Sequence, residues 1–338
     1  MKILILKPSS LGDVVQALPV LRLLKQHQPG SQIYWWIEVR SAALLENDPD
    51  LAGIFRFDRT RWARPWHWDE IGQSIAELRR HKFDLIIDLQ ALARSAAVGW
   101  LANGACLVGL HDWRELTSGY YDISVPRPSP DAHAVDWYLE CLRVLRVPVH
   151  LNFEWMPKRA HVAAEIESIW SADGKPTVAL MPGARWENKR WPAGYFRELV
   201  AILRRRDEEL RFVILGGRSD GPLASEIALA SPEACVDLTG RTSLPQLVEV
   251  IRRCQVVVTN DSGPMHVAAA LQKPVVGIFG PTSPDRTGPY GQVDRTLQRE
   301  DLPCVPCMKD ICAHSEPLAC VRGIAAMAVA DSVIARLS

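Results

Sequence analysis

Three short segments hold residues whose types and spacing could do chemistry. In "KPSSLGDVVQALPVL" (7–21), Ser9, Ser10 and Gly12 lead to a single acid, Asp13, directly behind the apolar run "ILIL". A carboxylate is a poor neighbour for a phosphate, but it suits removal of a proton from a hydroxyl. In "VVVTNDSGPMHVAAAL", the turn Asn260, Asp261, Ser262, Gly263 precedes Pro264, a residue fitted to a first helical turn. The free N–H groups of a helix start favour a diphosphate, and His266 could reach the same anion. Asp261 would repel phosphate, so its use would be to accept from sugar hydroxyls. A plain helix cap by Asp261 or Ser262 is the competing reading. In "MPGARWENKRWP", Arg185, Lys189 and Arg190 share one loop, fitted to neutralise a nucleotide diphosphate or simply to sit in solvent. Two anion-suited loops in one half of the chain favour a nucleotide ligand.

Two further clusters stand apart. "RFDRTRWARPWHW" (56–68) carries Arg56, Arg59, Arg61 and Arg64 among Trp62, Trp66 and Trp68. Arginine grips carboxylates and phosphates bidentately, so an anionic acceptor is the functional reading. A loop anchored by Trp packing, or a membrane-interface patch, are the alternatives. Arg94 and Arg114 are further acceptor-side candidates. Cys304, Cys307, Cys312 and Cys320 form C-x2-C-x4-C-x7-C with His314 inside. That set is compatible with a structural zinc site, although it is not the two-CxxC pattern of a zinc ribbon. Four plain thiols in a long loop are the other reading.

The elements that must position these residues alternate. "KILIL", "QIYWWIEV" and "DLIIDLQ" read as strands, with helices over 14–26 (despite Pro19), 71–81, "SAAVGWLA" and 133–145. A Pro-rich stretch over 147–157 reads as a linker between domains 1–150 and 151–338. The second half repeats the rhythm through "TVALMPG", "AGYFRELVAILRRR", "RFVILGG", "LPQLVEVIRRC", "QVVVTN", "PMHVAAAL" and "PVVGIFG". Near-continuous apolar strands alternating with helices predict parallel sheets covered on both faces, hence two α/β halves flanking a cleft. Ligands in such sheets bind beyond the carboxyl ends of strands.

Bulk properties fit an enzyme-sized globular chain. The 338 residues are 48% hydrophobic and 23% charged, with 39 basic and 39 acidic side chains. The first 150 residues balance too, 17 against 17, so no basic field recruits nucleic acid. No apolar stretch reaches the roughly 18 residues that span a bilayer, and no signal-peptide pattern opens the chain. The expected compartment is the cytoplasm, where the eight Cys would be thiols or metal ligands. Cys106, Cys141, Cys235 and Cys254 lie in apolar surroundings suited to a core. No G-x-G-x-x-G follows a strand with a downstream acid, which argues against a nicotinamide oxidoreductase.

Taken together, "KPSSLGDVVQALPVL", "DLQALARS", "HAVDWYL", "MPGARWENKRWP" and "NDSGPMHVAAALQKPVVGIFGPTSP" resemble the ADP-heptose lipopolysaccharide heptosyltransferases over nearly the whole chain. The resemblance implies a GT-B fold of two Rossmann-like domains facing a central cleft, acceptor on the N-terminal one and nucleotide sugar on the C-terminal one. It implies inverting transfer from ADP-heptose to the Kdo or heptose of the inner core, at the cytoplasmic face of the inner membrane. Asp13 then matches the catalytic base, and Ser9, Ser10 and Gly12 the loop facing the donor diphosphate. Arg185 and Lys189 lie in the donor-phosphate loop, and Asp261, Ser262, Gly263 and His266 match the rest of the donor loop. Asp220 falls where a carboxylate holds the ribose, and Thr242 in the adenine-side loop. No metal is required, although Mg²⁺ could assist the leaving group. Ala91 departs from the Gly that often follows "DLQ". The Arg/Trp segment resembles members that add the first heptose to Kdo, and the cysteine cluster those that add the second. Another nucleotide sugar or acceptor, or a non-catalytic binding protein of the same fold, are the rival expectations.

Overall fold

The computed structural model describes residues 1–112, 117–171 and 173–337. They divide into two compact units, Met1–Pro157 and Lys158–Ser338. The first is built on six strands, β1 Lys2–Leu6, β2 Gln32–Glu38, β3 Gly53–Phe57, β4 Leu85–Asp88, β5 Leu107–His111 and β6 Ile123–Pro126. The second has six more, β7 Thr177–Met181, β8 Arg211–Ile214, β9 Cys235–Asp237, β10 Val256–Asn260, β11 Val275–Ile278 and β12 Thr296–Leu297.

All pairings are parallel, and the two sheets share one topology. The first runs β3-β2-β1-β4-β5-β6 and the second β12-β11-β10-β7-β8-β9, which is the same order counted from the other edge. Both are the dinucleotide-fold order, in which the winding reverses between the first and fourth strands. The reversal opens a crevice beside β1 and β4, and beside β7 and β10. The central strands are apolar at nearly every position because helices cover both faces. Ile3, Leu4, Ile5, Leu6, Val256, Val257 and Val258 have no exposed surface.

The helix Leu11–His27 begins immediately behind β1 and is buried over most of its turns, from Val14 to Leu24. Packing on that scale outweighs Pro19, which removes one hydrogen bond from its interior. Helix Ala134–Val144 lies against it. The strands read from the apolar runs are all present, and the helix expected over 71–81 extends back to Trp68.

Ala91, between β4 and helix Ala93–Ala102, has φ +58° and is buried. That left-handed backbone costs a residue with a Cβ about 1–2 kcal/mol, which gives a physical reason for the glycine expected there. Ala91→Gly should raise the unfolding free energy in urea by about 0.5–1 kcal/mol, after the greater chain entropy of glycine is subtracted. An unchanged or lower midpoint would show that the loop stores no strain at this residue.

Candidate active site

In the first unit the candidate base sits one turn beyond β1. Asp13 Oδ2 accepts from the backbone N–H and the hydroxyl of Ser10, both at 2.8 Å. Ser10 is the residue that caps this helix, so the acid is locked to its own helix start. Its other oxygen, Oδ1, faces Tyr138 Oη at 3.4 Å and Lys7 Nζ at 3.9 Å. Ser9 and Ser10 are half-buried, and Gly12 is buried within the turn.

Behind this acid lies a second, wholly enclosed carboxylate. Asp88 ends β4 and accepts from Gln90 N–H, Ser95 Oγ and Tyr121 Oη, each at 2.8 Å. Tyr121 lies flat against Gly109 of β5, where any Cβ would fall 2.3 Å from its ring. Burial pushes the Asp88 carboxyl up to about 6, against the pull of those three donors and of Lys7.

In the second unit, Asp261 follows β10 and Lys189 belongs to the loop after β7. Asp261 Oδ2 accepts from Lys189 Nζ and from Thr282 Oγ1, each at 2.6 Å. Lys189 also lies over the Trp186 ring, 4.6 Å from its centroid. Asn260, fully buried, ties the two loops together: its Nδ2 donates to Pro182 O at 2.7 Å and its Oδ1 accepts from Trp191 N–H at 3.0 Å. Ser262 caps the helix Gly263–Ala270 without a side-chain capping bond, and Asp261 is engaged by Lys189 and Thr282. Pro264 stands in the first turn, and His266 is buried in the same helix. Asp220 accepts from Gly217 N–H at 2.8 Å and packs against Gly183, so it joins the loop after β7 to the loop after β8. Thr242 is half-buried before helix Leu244–Arg253, and Arg185 is exposed.

The Arg/Trp segment divides in two. Trp62 packs on Phe57 and Trp36, which anchors the short helix Arg59–Trp62. Trp66 and Trp68 stand 72% and 60% exposed. Arg56 pairs with Glu46 at 2.8 Å, and Arg61 with Glu70. Arg59 and Arg64 are exposed, with no ion pair among the described residues, and Arg94 is exposed at the start of helix Ala93–Ala102. Arg114 lies outside the described residues.

Cys304, Cys307, Cys312 and Cys320 are free thiols lining one cavity of about 270 Å³, together with His314 and Asn188. Among the described residues no group of three His, Cys, Asp or Glu side chains is arranged to hold a metal ion. The loop braces its surroundings: Asn188 Nδ2 donates to Lys309 O at 2.8 Å and Met308 N–H to Pro281 O at 2.7 Å. Asn188 and Pro281 adjoin Lys189 and Thr282, the two partners of Asp261.

The sequence profile of glycosyltransferase family 9 (heptosyltransferase) matches residues 71–316. The chain belongs to this family. Lipopolysaccharide heptosyltransferase 1 of Pseudomonas aeruginosa is 31% identical over 93% of this chain and 88% of its own. Lipopolysaccharide heptosyltransferase 2 of Salmonella typhimurium is 30% identical over 88% of each chain. The structure of E. coli heptosyltransferase WaaC with ADP superposes with a TM-score of 0.78 at 25% identity, covering 99% of this chain and 100% of that one. This glycosyltransferase family 9 enzyme therefore has the GT-B fold.

Sequence reasoning missed Lys7, Asp88, Tyr138 and Thr282 as parts of the site, and read Asn260 only as a turn residue. Lys7 and Asp88 did carry a signal, since each is a charge at the carboxyl end of an apolar central strand. Because the folded pKa of Asp88 lies above the usual value, the folded state holds its proton more tightly. Stability should therefore fall as pH rises from about 4 to about 6 and then level off, by about 3 kcal/mol relative to Asp88→Asn. Urea midpoints of the two proteins across that range measure the difference; parallel curves would contradict the raised pKa.

Proposed function

We propose that the enzyme transfers L-glycero-D-manno-heptose from ADP-heptose to a Kdo or heptose hydroxyl of the lipopolysaccharide inner core, with inversion. Asp13 takes the proton of the acceptor hydroxyl as that oxygen attacks the anomeric carbon. The bond from that carbon to the diphosphate breaks, and ADP departs with the electron pair. Lys189, the helix start at Ser262 and Gly263, and His266 neutralise the charge that develops on the leaving diphosphate. Mg²⁺ bound with the diphosphate would help to neutralise that charge. Asp261 takes the heptose hydroxyls, Asp220 the ribose, and Thr242 lines the adenine side. Ser9, Ser10 and Gly12 form the loop facing the diphosphate, with Arg185 at its edge.

The observation that carries this reading is the Lys189–Asp261–Thr282 cluster at the reversal point of the second sheet. A cation, a helix start and a carboxylate stand together there, matching an anionic leaving group joined to a hydroxylated sugar. Support also comes from the family and from a relative whose structure contains ADP.

The acceptor side is proposed at the Arg/Trp segment, where Arg59 and Arg64 meet phosphates or carboxylates of the core. Arg56 and Arg61 exchange their acid partners for the same groups, and Arg94 is a further acceptor-side candidate. Exposed Trp66 and Trp68 suit contact with a membrane surface, which favours peripheral association with the cytoplasmic face of the inner membrane. No helix among the described residues is long and apolar enough to cross a membrane.

Two variants separate the roles. Asp13→Ala should lower turnover by about 10²- to 10⁴-fold and leave ADP affinity nearly intact, in calorimetric titration. Lys189→Ala should weaken ADP binding by about tenfold or more, the loss expected of a charge-assisted hydrogen bond. An Asp13→Ala enzyme with full turnover would remove the base assignment; unchanged ADP affinity in Lys189→Ala would remove the donor assignment.

A further inference from the structure

Lys7 is a buried cation that the proposed reaction does not use. It lies just beyond β1, and its residue is only 3% exposed. Desolvating an ammonium is costly unless opposite charge and acceptors surround it. Here Nζ donates to the Leu89 carbonyl at 2.9 Å, beyond the end of β4, and lies 4.6 Å from the Tyr138 ring centroid. It is 3.9 Å from Asp13 Oδ1. Burial pulls the Lys7 pKa down, and the carboxylates of Asp13 and Asp88 push it back up. The sequence alone presents Lys7 as the first residue of a phosphate-loop-like segment, but the side chain turns into the unit rather than toward solvent.

We propose that Lys7 is a positioning residue for Asp13: its fixed ammonium keeps that carboxylate ionised and aimed, and the enclosed Asp88 keeps the ammonium charged. This rests on the reading of Asp13 as the base. The two oxygens of Asp13 are then held differently. Oδ2 is fixed by Ser10 of its own helix, whereas Oδ1 meets Lys7 from the strand side and Tyr138 from helix Ala134–Val144. A carboxylate fixed from three elements loses little orientation when a hydroxyl arrives. An ammonium about 4 Å away also favours the ionised form that can accept a proton.

Charged and titratable groups face this pair from several elements. Asp13 approaches from helix Leu11–His27 and Asp88 from β4, with Tyr121 bonded to Asp88. Tyr138, held neutral by burial and by Asp13, comes from helix Ala134–Val144, with Arg127 within electrostatic reach of it. Cys141, on the same helix, senses Asp88 and is also kept neutral by burial. Lys7 is thus a cation placed against both carboxylates.

The test is the pH profile of kcat/KM with ADP-heptose and a truncated core acceptor. In Lys7→Met the acidic limb should move up by about one pH unit, the low end of the effect of an opposite charge because Asp13 is partly exposed. ADP affinity should not change. Lys7→Met leaves Asp88 buried without its counter-ion, so Lys7→Met/Asp88→Asn, which buries no charge there, is the second variant and should show the same upward movement. A folded variant of either kind whose acidic limb stays in place, or moves down, overturns the proposal and leaves Lys7 as a strut between β1 and Leu89. Asp13→Asn separates the two levels of the argument. Wild-type turnover in Asp13→Asn would remove the base reading itself. An inactive Asp13→Asn beside an unmoved Lys7→Met limb would remove only the role of Lys7.

Discussion

A parallel sheet sends the carboxyl ends of all its strands to one edge, so every loop that leaves a strand emerges on the same side. Where strand order reverses, the neighbouring loops diverge and leave a crevice. Both units of this enzyme obey that constraint with the same order of strands. The candidate residues follow from it. Asp13 lies behind β1 and Asp88 ends β4, the two strands that flank the first reversal. Lys189 lies behind β7 and Asp261 behind β10, the two strands that flank the second. Thr282 lies in the loop behind the next strand along, β11. The two pieces of chemistry proposed here, proton removal and anion binding, would therefore occupy equivalent places in two copies of one topology.

The two sites solve the problem of buried charge differently. In the first unit, desolvated groups compensate one another: Asp88 is surrounded by three hydrogen-bond donors, and Lys7 stands against both acids. In the second, the Lys189–Asp261 contact is close and charge-assisted, with a neutral hydroxyl as third member. Removing one partner of such a pair leaves the other uncompensated, and for that reason the supporting residues matter as much as the reacting ones. Asn260 is the clearest case. Its single amide fixes the spacing of the loops after β7 and β10.

Much of this was legible in the sequence, and what was not has definite causes. The central strands announced themselves as continuous apolar runs because both faces of each are covered. All four edge strands, β3, β6, β9 and β12, escaped notice. They pair on one side only and read as "GIFRF", "ISVP", "CVD" and "TL", without such a run. β5 was missed for another reason: Gly109 interrupts it, and the need for that glycine is visible only once Tyr121 lies on it. Asp13, Lys189 and Asp261 could be picked out because each sits in a loop directly behind a recognisable strand. Lys7, Tyr138 and Thr282 could not, since their roles come from contacts between elements distant in the chain. The contacts by which the cysteine loop braces the neighbours of Lys189 and Thr282 likewise left no mark in the sequence, because they join segments far apart in the chain.

The central claim is that this chain moves a heptose from ADP-heptose onto the lipopolysaccharide core. Incubation with ADP-heptose, and in parallel with UDP- and GDP-sugars, in the presence of truncated core acceptors addresses it most directly, with products read by mass spectrometry. The account predicts that an acceptor gains one heptose from the ADP sugar alone, with release of ADP. Transfer from a UDP- or GDP-sugar in preference to ADP-heptose, or tight ADP binding with no transfer to any core acceptor, would contradict it.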